Sequence, residues 1–237
     1  GLAEERRAGR ALWPGVMGPY DWSAPWPPLK DTANTDVVWH GGALLALWYL
    51  CGEPYRCDPL TLATLGTDDF GGRRSHSVSA HPKVDPRSGE LVYFTLSDYE
   101  PPYMRYGVVS REGELVHEIP VELPGARAPH DLTITEHFSI LHDFPFFHDP
   151  ALARSHGVRV ARFHRELPTR FGVVPRRGGT QQVRWFEFEP GYVLHMVNAW
   201  EDGDWITMDG CLQPDPSVRR NPAEGALASM LGYLDAF

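Results

Sequence analysis

Ser79-Ala80-His81-Pro82-Lys83-Val84-Asp85-Pro86, followed by Leu91-Val92-Tyr93-Phe94, sets a histidine ahead of a proline-stiffened turn and an apolar run. The run has strand composition, and Asp85-Pro86-Arg87-Ser88-Gly89 before it is a turn. A histidine in that place reads as a metal ligand held at a strand end. Two later segments repeat the setting with other neighbours: Ala128-Pro129-His130-Asp131-Leu132-Thr133-Ile134-Thr135 and Tyr192-Val193-Leu194-His195-Met196-Val197-Asn198-Ala199-Trp200. His81, His130 and His195 therefore stand out as a set.

Outward from these segments the chain reads as repeated antiparallel hairpins. Val37-Val38-Trp39 and Ala43-Leu44-Leu45-Ala46-Leu47-Trp48 flank Gly41-Gly42, a two-residue hairpin signal. Further turns fall at Arg111-Glu112-Gly113-Glu114, Thr135-Glu136-His137 and Glu201-Asp202-Gly203-Asp204. With 23 Gly and 22 Pro the chain is interrupted too often for long helices. Residues 1–12 can form a short polar helix, and the Trp/Pro-rich stretch 22–28 reads as an extended arm. The expected organisation is an N-terminal helix and arm over residues 1–30 and an all-β region over 31–237. Residues 149–167 mix Ala, Leu, Arg and His and read as a helical or irregular insertion.

Composition narrows the function. The chain has 237 residues, 42% hydrophobic, enough to bury a core. Its net charge of −9 and scattered Lys and Arg leave no basic stripe for a phosphate backbone, which argues against nucleic acid as a partner. No apolar run approaches the roughly 20 residues of a membrane span, and the N-terminus lacks a signal-peptide core. Cys51, Cys57 and Cys211 are odd in number and form no CxxC pair, so a reducing, cytoplasmic setting is expected. There is no GxSxG elbow, P-loop or Rossmann glycine pattern.

The histidine segments, together with Asp31-Thr32-Ala33-Asn34-Thr35 and Trp39-His40-Gly41-Gly42, resemble the carotenoid cleavage oxygenase family, especially its bacterial branch acting on apocarotenoids and lignin-derived stilbenes. The resemblance implies an all-β fold of the seven-bladed β-propeller type, of which only part is present here. The histidines lie 49 and 65 residues apart, near or above the roughly 40–50-residue period of propeller blades. No internal repeat is visible, so the period alone supports the fold weakly. Carried over position by position, the resemblance makes His81, His130 and His195 three of the family's four metal ligands. The fourth has no counterpart in this chain. The implied cofactor is Fe(II), and the implied partners are an apolar small-molecule substrate and O2, with peripheral membrane contact as a route for substrate access. The implied reaction is oxidative cleavage of a C=C bond to two carbonyl products. No separate catalytic residue is demanded.

Two departures from the family pattern matter. An outer-shell Glu expected soon after Gly41-Gly42 is matched to Leu50, and Glu53 falls on the wrong face of a regular strand to replace it. A Lys that meets a substrate phenol in stilbene-cleaving relatives is matched to Ala43, which favours an apocarotenoid-like substrate. The alternative is a non-catalytic binding protein on the same scaffold, or an inactive truncated relative. A propeller hydrolase would need carboxylate ligands, and only Asp131 adjoins a candidate histidine, facing the other way on a strand. His137, His142 and His148, with Asp143 and Asp149, crowd one segment and could be read as a second metal site, but Pro145 interrupts the strand on which His142 and His148 would share a face. His40 is read as structural.

Overall fold

A computed structural model describes residues 2–13, 29–50, 52–97, 100–148, 155 and 161–217. The 22–28 arm and most of the 149–167 interval lie outside the described residues. A single-turn-rich helix, α1 (Leu2–Ala8), opens the chain, and Lys30 donates to Glu5 to tie it to the start of the β region. Otherwise the described elements are β-strands, apart from a short 3-10 helix at Thr180–Gln182.

Three four-stranded antiparallel sheets follow one another. The first holds β1 (Asp36–His40), β2 (Ala43–Leu47), β3 (Tyr55–Cys57) and β4 (Thr64–Thr67) in chain order. The second holds β5 (Lys83–Val84), β6 (Leu91–Leu96), β7 (Met104–Val109) and β8 (Leu115–Val121). The third is built from β9 (Thr133–Ile134), β10 (Phe138–Asp143), β13 (Thr169–Pro175) and β14 (Arg184–Phe188). Its middle connection carries the small hairpin of β11 (Phe146–His148) and β12 (Ala161–Phe163). A final hairpin joins β15 (Tyr192–Asp202) to β16 (Trp205–Gln213).

The period of two explains how the sheets stack. Successive side chains of a strand point to opposite faces, and in β6 both faces are buried. Leu91 and Tyr93 enter a core shared with Leu45 and Leu47 of the first sheet. Val92 and Phe94 enter a second core shared with Leu132, Leu141 and Val174 of the third. Strand β10 repeats the arrangement, with Leu141 in that second core and Ile140 in a third beside Tyr192, Val193 and Ala199 of the last hairpin. Each core thus lies between consecutive sheets, as between neighbouring propeller blades.

Glycine shapes two points of this frame. Gly41 and Gly42, with φ of 55° and 78°, make the β1–β2 turn, whose twist needs positive φ at both positions. At Gly107 a Cβ would lie 2.3 Å from Cζ of Tyr93, so the bare backbone of β7 makes room for that fully buried ring.

Candidate metal centre

Each sheet after the first contributes one histidine, just ahead of its first strand or within it. His81 stands two residues before β5, His130 three before β9, and His195 inside β15. The ring centroids are 5.0 Å apart for His81 and His130, 4.8 Å for His81 and His195, and 5.0 Å for His130 and His195. One nitrogen from each ring lies within 4.8 Å of the others, close enough for one ion to be shared. The trio picked out in the sequence is brought together from positions 49 and 65 residues apart.

Local structure holds each imidazole differently. Ahead of His81, Ser79 N donates to Phe94 O and Ala80 N to Trp48 O, which pins the segment between the first and second sheets. His81 itself adopts φ of 64°, a left-handed conformation that strains a side-chain-bearing residue. Asp36 Oδ2 accepts from His81 N at 3.0 Å and supports that turn. The same oxygen lies 3.7 Å from His81 Nδ1, while His81 Nε2 is buried without a hydrogen-bond partner. Against His130 lies the ring of Tyr49, with centroids 4.0 Å apart. Around His195 the β15–β16 pairing shifts register on both sides of Met196, and such irregularities re-aim side chains.

At His81 and His130 the electrostatics favour the uncharged imidazole. Burial lowers the pKa of His81, and the carboxylates of Asp131 and Asp36 only partly oppose it. Burial, and then the neighbouring His81 and His195, push His130 down to about 3. A neutral imidazole offers a lone pair to a metal, and the orphaned His81 Nε2 is what such a site presents when only protein atoms face it. The residues present therefore fit a metal ion. An all-nitrogen set suits iron, zinc, copper or nickel. No second cluster of three or more His, Cys, Asp or Glu occurs among the described residues.

The crowded segment after His130 distributes its groups to separate partners. His137 Nδ1 pairs with Glu201 at 2.8 Å, and Asp143 receives Arg127 and Arg170. His142 is fully buried between the rings of Phe144 and Phe171, with no hydrogen bond to either nitrogen. Burial holds its pKa at about 4.

One position read from the sequence needs correction. The residue beside His130 is Tyr49, whereas Leu50 lines a separate cleft with Trp48, Ser97 and Arg105. Strand β2 ends at Leu47 and the chain turns at once, so counting faces along a regular strand fails there. Glu53 is engaged by Arg74, and Ala43 is wholly buried in the β1–β2 hairpin. Asp131 is no bystander either, because its carboxylate bonds to Lys83, two residues after His81, and to Met196, next to His195.

Stacked antiparallel meanders with three histidines meeting at their first strands define a propeller-type protein equipped to hold a metal. Comparison with known proteins then gives the family. Residues 1–229 match the family described as retinal pigment epithelial membrane protein. A carotenoid 9,10(9',10')-cleavage dioxygenase from Crocus sativus is 37% identical over 191 residues, which are 79% of this chain and 35% of that one. The crystal structure of Pseudomonas brassicacearum lignostilbene dioxygenase superposes with a TM-score of 0.77 at 34% identity, covering 88% of this chain and 44% of the other. A cobalt-substituted Synechocystis apocarotenoid oxygenase gives 0.73 at 29% identity, covering 90% and 47%. The chain belongs to this family, that of the carotenoid cleavage oxygenases, and its fold is part of a β-propeller. It spans less than half the length of each of these three relatives.

Proposed function

We propose that residues 31–237, with 1–30 as an N-terminal arm, are the part of a non-haem Fe(II) dioxygenase that carries three of its metal ligands, His81, His130 and His195. The protein cleaves a C=C bond of an apolar polyene, apocarotenoid-like, or of a stilbene-like substrate. One alkene and one O2 give two carbonyl products, so atoms balance without a further reductant. The observation that carries this reading is the convergence of three imidazoles with a buried, unpartnered nitrogen on His81.

Ferrous iron bound there would supply O2 binding and oxidation of the alkene. The chain's own residues supply position. His81 is held by its strained turn and by Asp36, which accepts from its backbone N–H and lies on the Nδ1 side of the ring, leaving Nε2 free to bind. Tyr49 packs its ring on His130 and limits how that imidazole can rotate. Cleavage of this kind needs no general base from the protein. No helix among the described residues is long and apolar enough to cross a membrane. Leu60, Leu62 and Leu65, exposed at the β3–β4 hairpin, support peripheral membrane contact as the route for an apolar substrate. Free Cys57 and Cys211 accord with a cytoplasmic setting.

A second reading is a non-catalytic binding protein on the same scaffold. It is favoured by the aromatic ring of Tyr49 against His130, where no carboxylate hydrogen-bonds to that imidazole among the described residues. Full-length protein loaded with ferrous iron, given apocarotenoid and stilbene panels under 18O2, separates the two. The dioxygenase reading predicts labelled carbonyl products and one O2 consumed per alkene cleaved. Iron-loaded protein that consumes no O2 with any alkene would leave the binding-protein reading.

A further inference from the structure

Asp131 follows His130 directly and is 2% exposed. A buried carboxylate is costly unless its oxygens are satisfied, and here the donors come from three places. Oδ1 accepts from Lys83 Nζ and from Leu132 N at 2.8 Å. Oδ2 accepts from Met196 N at 2.9 Å. Lys83 lies two residues after His81 and also donates to His81 O at 3.3 Å, while Met196 is the residue after His195. One carboxylate therefore touches the chain beside every member of the histidine trio.

We propose that Asp131 is the positioning residue of the metal centre, a staple that sets the relative placement of the His81, His130 and His195 segments so that their nitrogens converge. The proposal rests on the reading of the trio as metal ligands. Its logic is geometric. The three segments belong to different sheets, and each packs into a separate core, Ala80 in one, Leu132 in another and Val193 in the third, so no single core joins them. Apolar packing fixes strands to within its own tolerance; charge-assisted hydrogen bonds are short and directional. An acceptor-only carboxylate suits the task because every group facing it is a donor. Asn at this position would turn its NH2 towards Met196 N or towards Lys83 and Leu132 N, setting donor against donor in either orientation.

The test uses full-length protein, stripped of metal and titrated with Co(II). Affinity and the visible absorption band of the bound ion are read on folded protein, and the unfolding midpoint of the metal-free form is followed in parallel. Wild type compared with His81→Ala, His130→Ala and His195→Ala first establishes that the trio binds the ion. If these variants bind as wild type does, the ligand reading falls and the staple with it. Given that they do not, Asp131→Asn is expected to lose about 10–100-fold in affinity, the usual effect of disturbing groups that orient ligands, and to alter the Co(II) band. Lys83→Met, which removes one arm and leaves the backbone donors in place, should show the same change to a smaller degree.

Asp143→Asn serves as the control. Asp143 is as buried, at 3%, but its partners are Arg127 and Arg170, so it makes no link to the His81 or His195 segment. It should lower the metal-free midpoint and leave the Co(II) band and affinity unchanged. Asp131→Asn with wild-type affinity and band, whatever its midpoint, would reduce Asp131 to an ordinary buried ion pair and overturn the proposal while the ligand reading stood.

Discussion

His81, with its left-handed backbone and with Asp36 on its own N–H and Asp131 on Lys83, shows how much local structure one proposed ligand position takes. The φ of 64° is held by Asp36 and followed by Pro82, so the imidazole leaves the strand line at a fixed angle. The three histidines were legible in the sequence because each carries a distinctive neighbourhood. Tyr49 and Asp131 were not. Tyr49 lies just past β2, where a turn replaces the strand period used to assign faces, and Asp131 works through backbone donors that no side-chain pattern reveals. His142 yields a prediction at this scale. Its folded-state pKa is depressed to about 4 from an ordinary 6.5 by burial. Between those values the unfolded chain takes up a proton that the folded chain refuses. The contribution is therefore intact above about pH 6.5 and is lost as pH falls towards 4. His142→Leu, of similar size and without the unpartnered nitrogens, should show a smaller loss of denaturant midpoint between pH 7 and 5 than wild type. An equal loss in both proteins would contradict the assignment.

At the level of elements, the hairpins were readable from turn chemistry, above all Gly41-Gly42, and the alternation of β2 buries Ala43, Leu45 and Leu47 as its pattern implies. What the sequence could not tell is that β6 and β10 are buried on both faces, since β6 is a short, largely apolar run and β10 mixes Ser139, His142 and Asp143 with its apolar residues, and neither pattern says what covers each side. The role of Gly107 was equally hidden. Tyr93 lies across β7 at that point and donates from its hydroxyl to Glu118 Oε2 at 2.8 Å on β8, so its ring has nowhere to go. Gly107→Ala should destabilise the full-length protein by about 1–3 kcal/mol, the usual cost of overpacking, as a lowered denaturant midpoint. A midpoint equal to wild type would mean that the ring moves freely and that the second sheet is looser than described.

Across the whole molecule, sheets that cover one another in sequence leave apolar surface at both ends of the series. Val37 and Trp39 of β1 are 59% and 56% exposed, and Val197 and Trp205 of the last hairpin 70% and 76%. Between β13–β14 and β15–β16 a cleft of about 860 Å³ is lined by Phe171, Phe186, Phe188, Trp205 and Met208. Such surfaces, with unpaired strand edges, promote association. Residues 1–237 expressed alone should scatter light as aggregates or oligomers at micromolar concentration. A monomeric, cooperatively unfolding 237-residue chain would show that these faces are stable in water.

The central claim is that His81, His130 and His195 share one metal ion, and anomalous diffraction tests it most directly. Crystals of the full-length protein grown with iron and measured across the iron absorption edge should show one strong peak with Nε or Nδ atoms of all three histidines at about 2.0–2.2 Å, ordinary metal–imidazole distances. No peak among the three rings, or a peak held by other residues, would contradict the account.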